Sequence, residues 1–179
     1  YHSAAFKEIR DAFVAGAYYP ALTAAVSLGE QLLNHLLLDL REHFRESPEY
    51  KNVYRKNSFD DWDLAIRVLS SWKVLRPESA SDLRELQPIR HQAVHFNPAI
   101  HENARDYAHS AVRLMRQFIE HQFGAFGNHP WFITSVPGLV FIKKEFEDHP
   151  FIKKFYLPNC AYVGPRHTLR RDGGYRRWL

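Results

Sequence analysis

Cysteine is nearly absent. Cys160 stands alone in 179 residues. A disulfide framework is therefore excluded, and so is a zinc site built on two or more cysteines. Long hydrophobic runs are missing as well, and none approaches the roughly 18–20 residues of a membrane span. The opening residues do not read as a signal peptide. Internal repeats and low-complexity tracts are also lacking. The first residue is Tyr1 rather than Met, so the expectation is a piece of a longer protein in a soluble, reducing, cytoplasmic setting.

What remains is an ordinary globular composition. Hydrophobic residues make up 45%, charged residues 25% and aromatics 15%, which supports a sizeable core and argues against disorder. The net charge of +4 is unevenly placed. Residues 166–179 hold Arg166, Arg170, Arg171, Arg176 and Arg177 against Asp172 alone. Taking these from the 24 basic and 20 acidic side chains leaves 19 of each in residues 1–165. The excess charge belongs to the C-terminal tail and does not make the body a nucleic-acid surface. The tail arginines could hold RNA phosphates, with Tyr175 and Trp178 stacking on bases, or form a partner-docking terminus.

Helical periodicity fills the first 125 residues. A helix is expected from Ser3, its cap, to Gly16, with Phe6, Ile9 and Phe13 on one face. A second runs from Pro20 to Phe44 on a stripe of Leu22, Val26, Leu33, Leu36, Leu37, Leu40 and Phe44. After a polar loop to Asn57, a third spans Asp60 to Leu75, capped by Asp60 or Asp61. Its apolar face holds Trp62, Ala65, Ile66, Leu69 and Trp72. The fourth is expected from Ser81 or Asp82 to Phe96, with Leu83, Leu86, Ile89, Ala93 and Phe96 inward and a kink or break at Pro88. Asn97-Pro98 starts the fifth, which carries Tyr107, Val112, Met115, Phe118 and Ile119 and stops at Gly124. Beyond it the texture changes. Trp131–Thr134 and Leu139–Ile142 are short β-like runs, Phe151–Leu157 is a third apolar piece, and Tyr162–Pro165 is a candidate fourth. The fold class read from this pattern is mainly α. A helical bundle of about five helices occupies residues 1–125. A small β-containing C-terminal appendage with a basic tail occupies residues 126–179.

The stretch that carries chemistry is LRELQPIRHQAVHF, residues 83–96. At 3.6 residues per turn, His91 and His95 share a helix face, while Arg90 lies about 140° from His95. A long arginine still reaches the same pocket, especially if the helix distorts at Pro88. Arginine beside histidine suits phosphodiester chemistry. The imidazole moves protons near neutral pH, and the guanidinium clamps phosphate oxygens and the charge that builds in the transition state. If the 2′-hydroxyl of RNA attacks, no metal is required. A metal pair at His91 and His95 is the competing use, but no Glu follows His91 and the HExxH pattern is missing. Cofactors and metals are therefore not expected. His101, His109 and His121 read as solvated or core-edge residues. Cys160, His149 and His167 are too scattered to mark a site.

These residues resemble the HEPN superfamily, whose ribonucleases carry an Arg, four to six residues, then His. Here that is Arg90, four residues, His95. The family often places Asn after the arginine; here it is His91. The long second helix, AVSLGEQLLNHLL, agrees with that layout, and the resemblance covers residues 3–124. It implies a metal-independent endoribonuclease acting as a homodimer, with the motifs of two protomers facing across a cleft. It implies His95 as general acid or base, Arg90 on the scissile phosphate, and His91 orienting one of them or binding RNA. Similar acidic positions in related domains give Glu30 a supporting role in holding Arg90; a surface ion pair is the other reading. Cleavage would leave a 2′,3′-cyclic phosphate and a 5′-hydroxyl. By the same analogy the chain would be the effector end of a larger defence or toxin-like protein with an N-terminal sensor. The alternative is a noncatalytic module for dimerisation, or for binding RNA or a partner.

Overall fold

The computed structural model describes residues 2–94, 99–124, 129–133, 141–156, 167–169 and 175–177. The protein is mainly helical and divides into two compact units, Tyr1–Phe123 and Gly124–Leu179.

The first unit contains α1 (His2–Val14), α2 (Tyr18–Leu40), α3 (Trp62–Ser71), α4 (Pro77–Val94) and α5 (Ala99–Phe123). Ser3 lies inside α1 rather than capping it. The α1–α2 turn depends on Gly16, whose φ of +80° is a left-handed conformation that costs glycine little. The Gly16 N–H donates to the Phe13 carbonyl and the Ala17 N–H to the Ala12 carbonyl, at 3.0 and 2.9 Å. That pair of bonds is a Schellman ending, which satisfies the last carbonyls of α1.

Helix α2 is the centre of the unit and packs against each of the other four helices. Leu22, Val26, Leu33, Leu36, Leu37 and Leu40 are buried as the stripe predicts. Each such side chain contributes about 1.5–3 kcal/mol when fully withdrawn from water. The α-helix stops at Leu40 and tightens into a 3₁₀ turn over Arg41–Phe44, so Phe44 leaves the stripe. Its ring stacks on Trp72 instead, 4.6 Å between centroids. Gly29 sits at the closest approach: a Cβ there would lie 2.9 Å from Trp62 Cη2, 3.2 Å from Leu86 Cδ2 and 3.3 Å from Met115 Sδ.

Asp61 caps α3, accepting from the Leu64 N–H at 3.0 Å. Helix α4 begins at Pro77, four residues before Ser81. Proline's fixed φ and missing N–H suit a first helical position, and Ser79 and Ala80 are already buried. No break occurs at Pro88, and α4 runs from Pro77 to Val94. Pro88 is exposed, and its ring nitrogen, having no hydrogen, offers no intrahelical bond to the Arg84 carbonyl. The departure from helical geometry falls in α5 instead, at Asn103 (φ −120°, ψ 20°). The expected start at Asn97-Pro98, and Phe96, lie outside the described residues. At the far end of α5, buried Gln122 donates to the Val74 carbonyl and accepts from the Arg76 N–H, at 2.9 and 3.2 Å.

In the second unit the described β structure is confined to two short antiparallel pairs. β1 (Phe132–Ile133) pairs with β2 (Phe141–Ile142), and β3 (His167–Leu169) with β4 (Tyr175–Arg177). The third apolar piece is helical, with a π turn over Ile152–Tyr156. It packs aromatic against aromatic: Trp131 lies 5.2 Å from Phe151 and 5.8 Å from Tyr156. Tyr162–Pro165 and Cys160 lie outside the described residues. No helix among the described residues is long and apolar enough to cross a membrane.

Candidate functional site

Arg90, on α4, turns toward α2. Its Nη2 lies 2.6 Å from Glu30 Oε2, and its Nε donates to the same oxygen at 2.9 Å. The guanidinium carbon lies 5.5 Å from the ring centre of Trp62, within range of a cation–π attraction. Two directions are thus fixed, by a carboxylate and by an indole face. The Arg90 side chain keeps 25% of its exposure and Glu30 keeps 35%. Nε and Nη2 supply only part of a guanidinium's five donors.

Trp62 is placed for this support by its own packing. It opens α3 directly after the Asp61 cap, is 1% exposed, and lies against the bare backbone of Gly29. Gly29 lets the indole approach α2, and Glu30, one residue on, turns to the edge of the core.

Arg90 and Glu30 line a cleft of about 540 Å³. Ser27, Gln31 and His35 face it from the exposed side of α2, and Val94 is exposed at its α4 edge. Asn57 and Ser58 complete it from the loop before α3. Asn34 ties that loop down: its Nδ2 donates to the Phe59 carbonyl at 2.9 Å, and its Oδ1 accepts from the Phe59 N–H at 2.7 Å. Among the described residues Arg90 is the one Lys or Arg in the cleft lining. The other polar groups are amides, hydroxyls, one imidazole and one carboxylate. Such a cleft can orient an anion at one point and hydrogen-bond neutral groups along the rest.

The expected site residues fare differently. Arg90 and Glu30 are brought together. His91 is exposed on α4 and does not line the cleft. His95 lies outside the described residues, as do Arg166, Arg170 and Arg171. Arg176 and Arg177 belong to β4, with their side chains outside the description. His35, Gln31, Asn34 and Trp62 were not singled out by the motif. The signal for the first three is a polar stripe on a leucine-rich helix, with Ser27, Gln31 and His35 at four-residue spacing and Asn34 beside it.

A second ionisable pair lies outside the cleft lining. His121 Nδ1, on α5, is 2.6 Å from Asp82 Oδ2, on α4. Burial raises the Asp82 pKa above the usual aspartate value, and the bond to His121 works against that rise. His121 is a half-buried core-edge residue, as expected, and it is bonded to Asp82. His109 is exposed, with its ring 6.0 Å from that of Phe13. No three His, Cys, Asp or Glu side chains among the described residues gather as metal ligands.

No family model matches the chain, and no curated protein or solved structure matches it either.

Proposed function

We propose that the chain is a metal-independent endoribonuclease that works as a homodimer, the effector domain of a larger defence or toxin-like protein. The fold in this reading is a HEPN-like bundle of about five helices followed by a small β-containing appendage. The supporting observation is the placement of Arg90: its guanidinium, held by Glu30 and Trp62, lines an open cleft. A fixed cation at such a place stabilises charge that develops on a phosphoryl group.

In the reaction, the RNA 2′-oxygen forms a bond to phosphorus and the bond from phosphorus to the 5′-oxygen breaks. A base takes the 2′-hydroxyl proton, and an acid delivers one to the departing 5′-oxygen. His95 serves in that proton transfer, and Arg90 neutralises the non-bridging oxygens. His91 orients one of these two residues or binds RNA. The products are a 2′,3′-cyclic phosphate and a 5′-hydroxyl.

Incubating the purified chain with RNA in EDTA tests the proposal. Cleavage in EDTA that is lost in Arg90→Ala and in His95→Ala, with folding and dimerisation intact, is the expected result. Cleavage that survives both substitutions would sink it.

A second reading has its own support. Glu30 already occupies two donors of Arg90, as in an internal ion pair that holds α2 to α4. A noncatalytic dimerisation or binding module needs nothing more. It predicts no RNA cleavage by the wild-type chain, and a loss of partner or self-association when the bundle surface is changed.

A further inference from the structure

We propose that the exposed face of α2 beside Arg90 is a base-reading surface, on which Gln31 and His35 hydrogen-bond the bases next to the scissile bond. The inference rests on the ribonuclease reading of the same cleft and adds two specificity-determining residues to it.

Placement is the first argument. Ser27, Gln31 and His35 follow one another at four-residue steps on α2, all exposed and all lining the cleft that holds Arg90. At 1.5 Å rise per residue the steps are about 6 Å, so the three rungs extend about 12 Å along the helix. A surface helix ordinarily turns such residues to open solvent. Here the stripe forms the wall of a concavity, and the Asn57–Ser58 loop, fastened by Asn34, also borders it.

The second argument is chemical. A groove that grips the RNA backbone is lined with cations. In this cleft Arg90 is the one Lys or Arg among the described lining, and its charge is shared with Glu30. A carboxamide offers donors and an acceptor on one planar group, and an imidazole offers nitrogens of either kind. Base edges present the matching donor–acceptor patterns, whereas phosphate oxygens only accept. The wall is therefore suited to reading bases, with the single guanidinium left for the phosphate.

The test is cleavage-site mapping on a mixed-sequence RNA pool in EDTA, with the full chain, Gln31→Ala, His35→Ala and the double variant. Both positions are exposed, and alanine is the best helix former, so the fold is kept; thermal unfolding verifies this. A well-formed base contact discriminates on the order of tenfold. The ratio of kcat/KM between the most and least favoured sites should fall by about that factor for each residue. Cleavage of the least favoured sites should stay near the wild-type rate. His35→Gln, which keeps a donor and an acceptor, should restore part of the preference. An unchanged site map in the double variant, with Arg90→Ala still inactive, overturns the inference and leaves the ribonuclease reading standing. Uniform loss of cleavage at all sites also overturns it, because it places these residues in the chemical step. So does a wild-type chain that cuts every site alike. A folded wild-type chain that cuts no RNA removes both readings.

Discussion

Glu30 and Arg90 join α2 to α4 through one carboxylate oxygen, which lies 2.6 Å from Nη2 and 2.9 Å from Nε of the arginine. Both side chains remain partly exposed, so the attraction is screened and its stabilising effect is limited to about 1 kcal/mol or less. Its greater consequence is orientation. Arginine carries many rotamers, and a carboxylate on one edge with an indole beneath leaves it few.

Glu30→Gln therefore should affect stability little and placement more. The expected loss is about 0.5–1 kcal/mol in urea unfolding. A double-mutant cycle with Arg90→Ala should return a coupling of similar size. On the ribonuclease reading, cleavage by Glu30→Gln falls through kcat more than through KM, since a wandering guanidinium serves the transition state worst. A coupling of zero would show that the two side chains do not support each other.

Gly29→Ala tests the packing beneath that pair. Alanine is favoured over glycine in a helix interior by about 1 kcal/mol. Against this, the new Cβ would stand 2.9 Å from Trp62 Cη2, with Leu86 and Met115 also close. The contact is with a buried ring, and overpacking of this kind costs about 1–3 kcal/mol. The expected result is a net loss of stability in denaturant unfolding. A change in tryptophan fluorescence should accompany it as the indole moves under Arg90. A stabilised protein would mean that Trp62 yields freely.

The helices could be read from the sequence because their signals are local. The leucine stripe of α2, the Asp61 cap and the Gly16 ending act over one or two turns, and each appears in the structure. The start of α4 falls four residues before the expected Ser81, because Pro77 takes the first helical position, where its fixed φ and missing N–H are tolerated. Of the kink or break expected at Pro88, the break does not occur: α4 is fastened on both sides of it by Leu83, Leu86 and Ala93, all buried. The site was legible only in part. Arg90 stood out by residue type, and Glu30 by the resemblance. Trp62 and Asn34 act through contacts 28 and 25 residues away in sequence, with Arg90 and Phe59 respectively. No helical period reports such contacts.

Asp82 should leave a pH signature. Burial is the largest influence on its carboxyl and raises the pKa; His121 lowers it, Glu85 adds to the rise and Arg113 opposes it, with a net shift upward. The folded pKa then exceeds the unfolded one, near 3.9, and the folded state holds the proton more tightly. Asp82's contribution to stability is fully present below the unfolded value and is lost as pH rises through the folded value. Relative to Asp82→Asn, the wild type should therefore gain stability as pH falls toward about 4. Paired thermal melts across that range measure the difference, and a gain in the opposite direction would show that the His121 bond outweighs burial.

Asn34→Ala should loosen the loop that borders the cleft. The Asn34 side chain satisfies both the N–H and the carbonyl of Phe59, at 2.7 and 2.9 Å, and Phe59 itself is 1% exposed. Removing the amide leaves two backbone groups to find other partners beside a buried ring. An unsatisfied buried group costs about 1–3 kcal/mol, so a total near 2 kcal/mol is expected after partial hydration. Asn34→Asp keeps the acceptor for the N–H and loses the donor, and should fall between wild type and alanine. Hydrogen exchange separates this local effect from general destabilisation. In Asn34→Ala the Phe59 amide should exchange faster by a larger factor than amides in the middle of α2. Equal acceleration at both places would mean that the loop is held by the burial of Phe59 and not by Asn34.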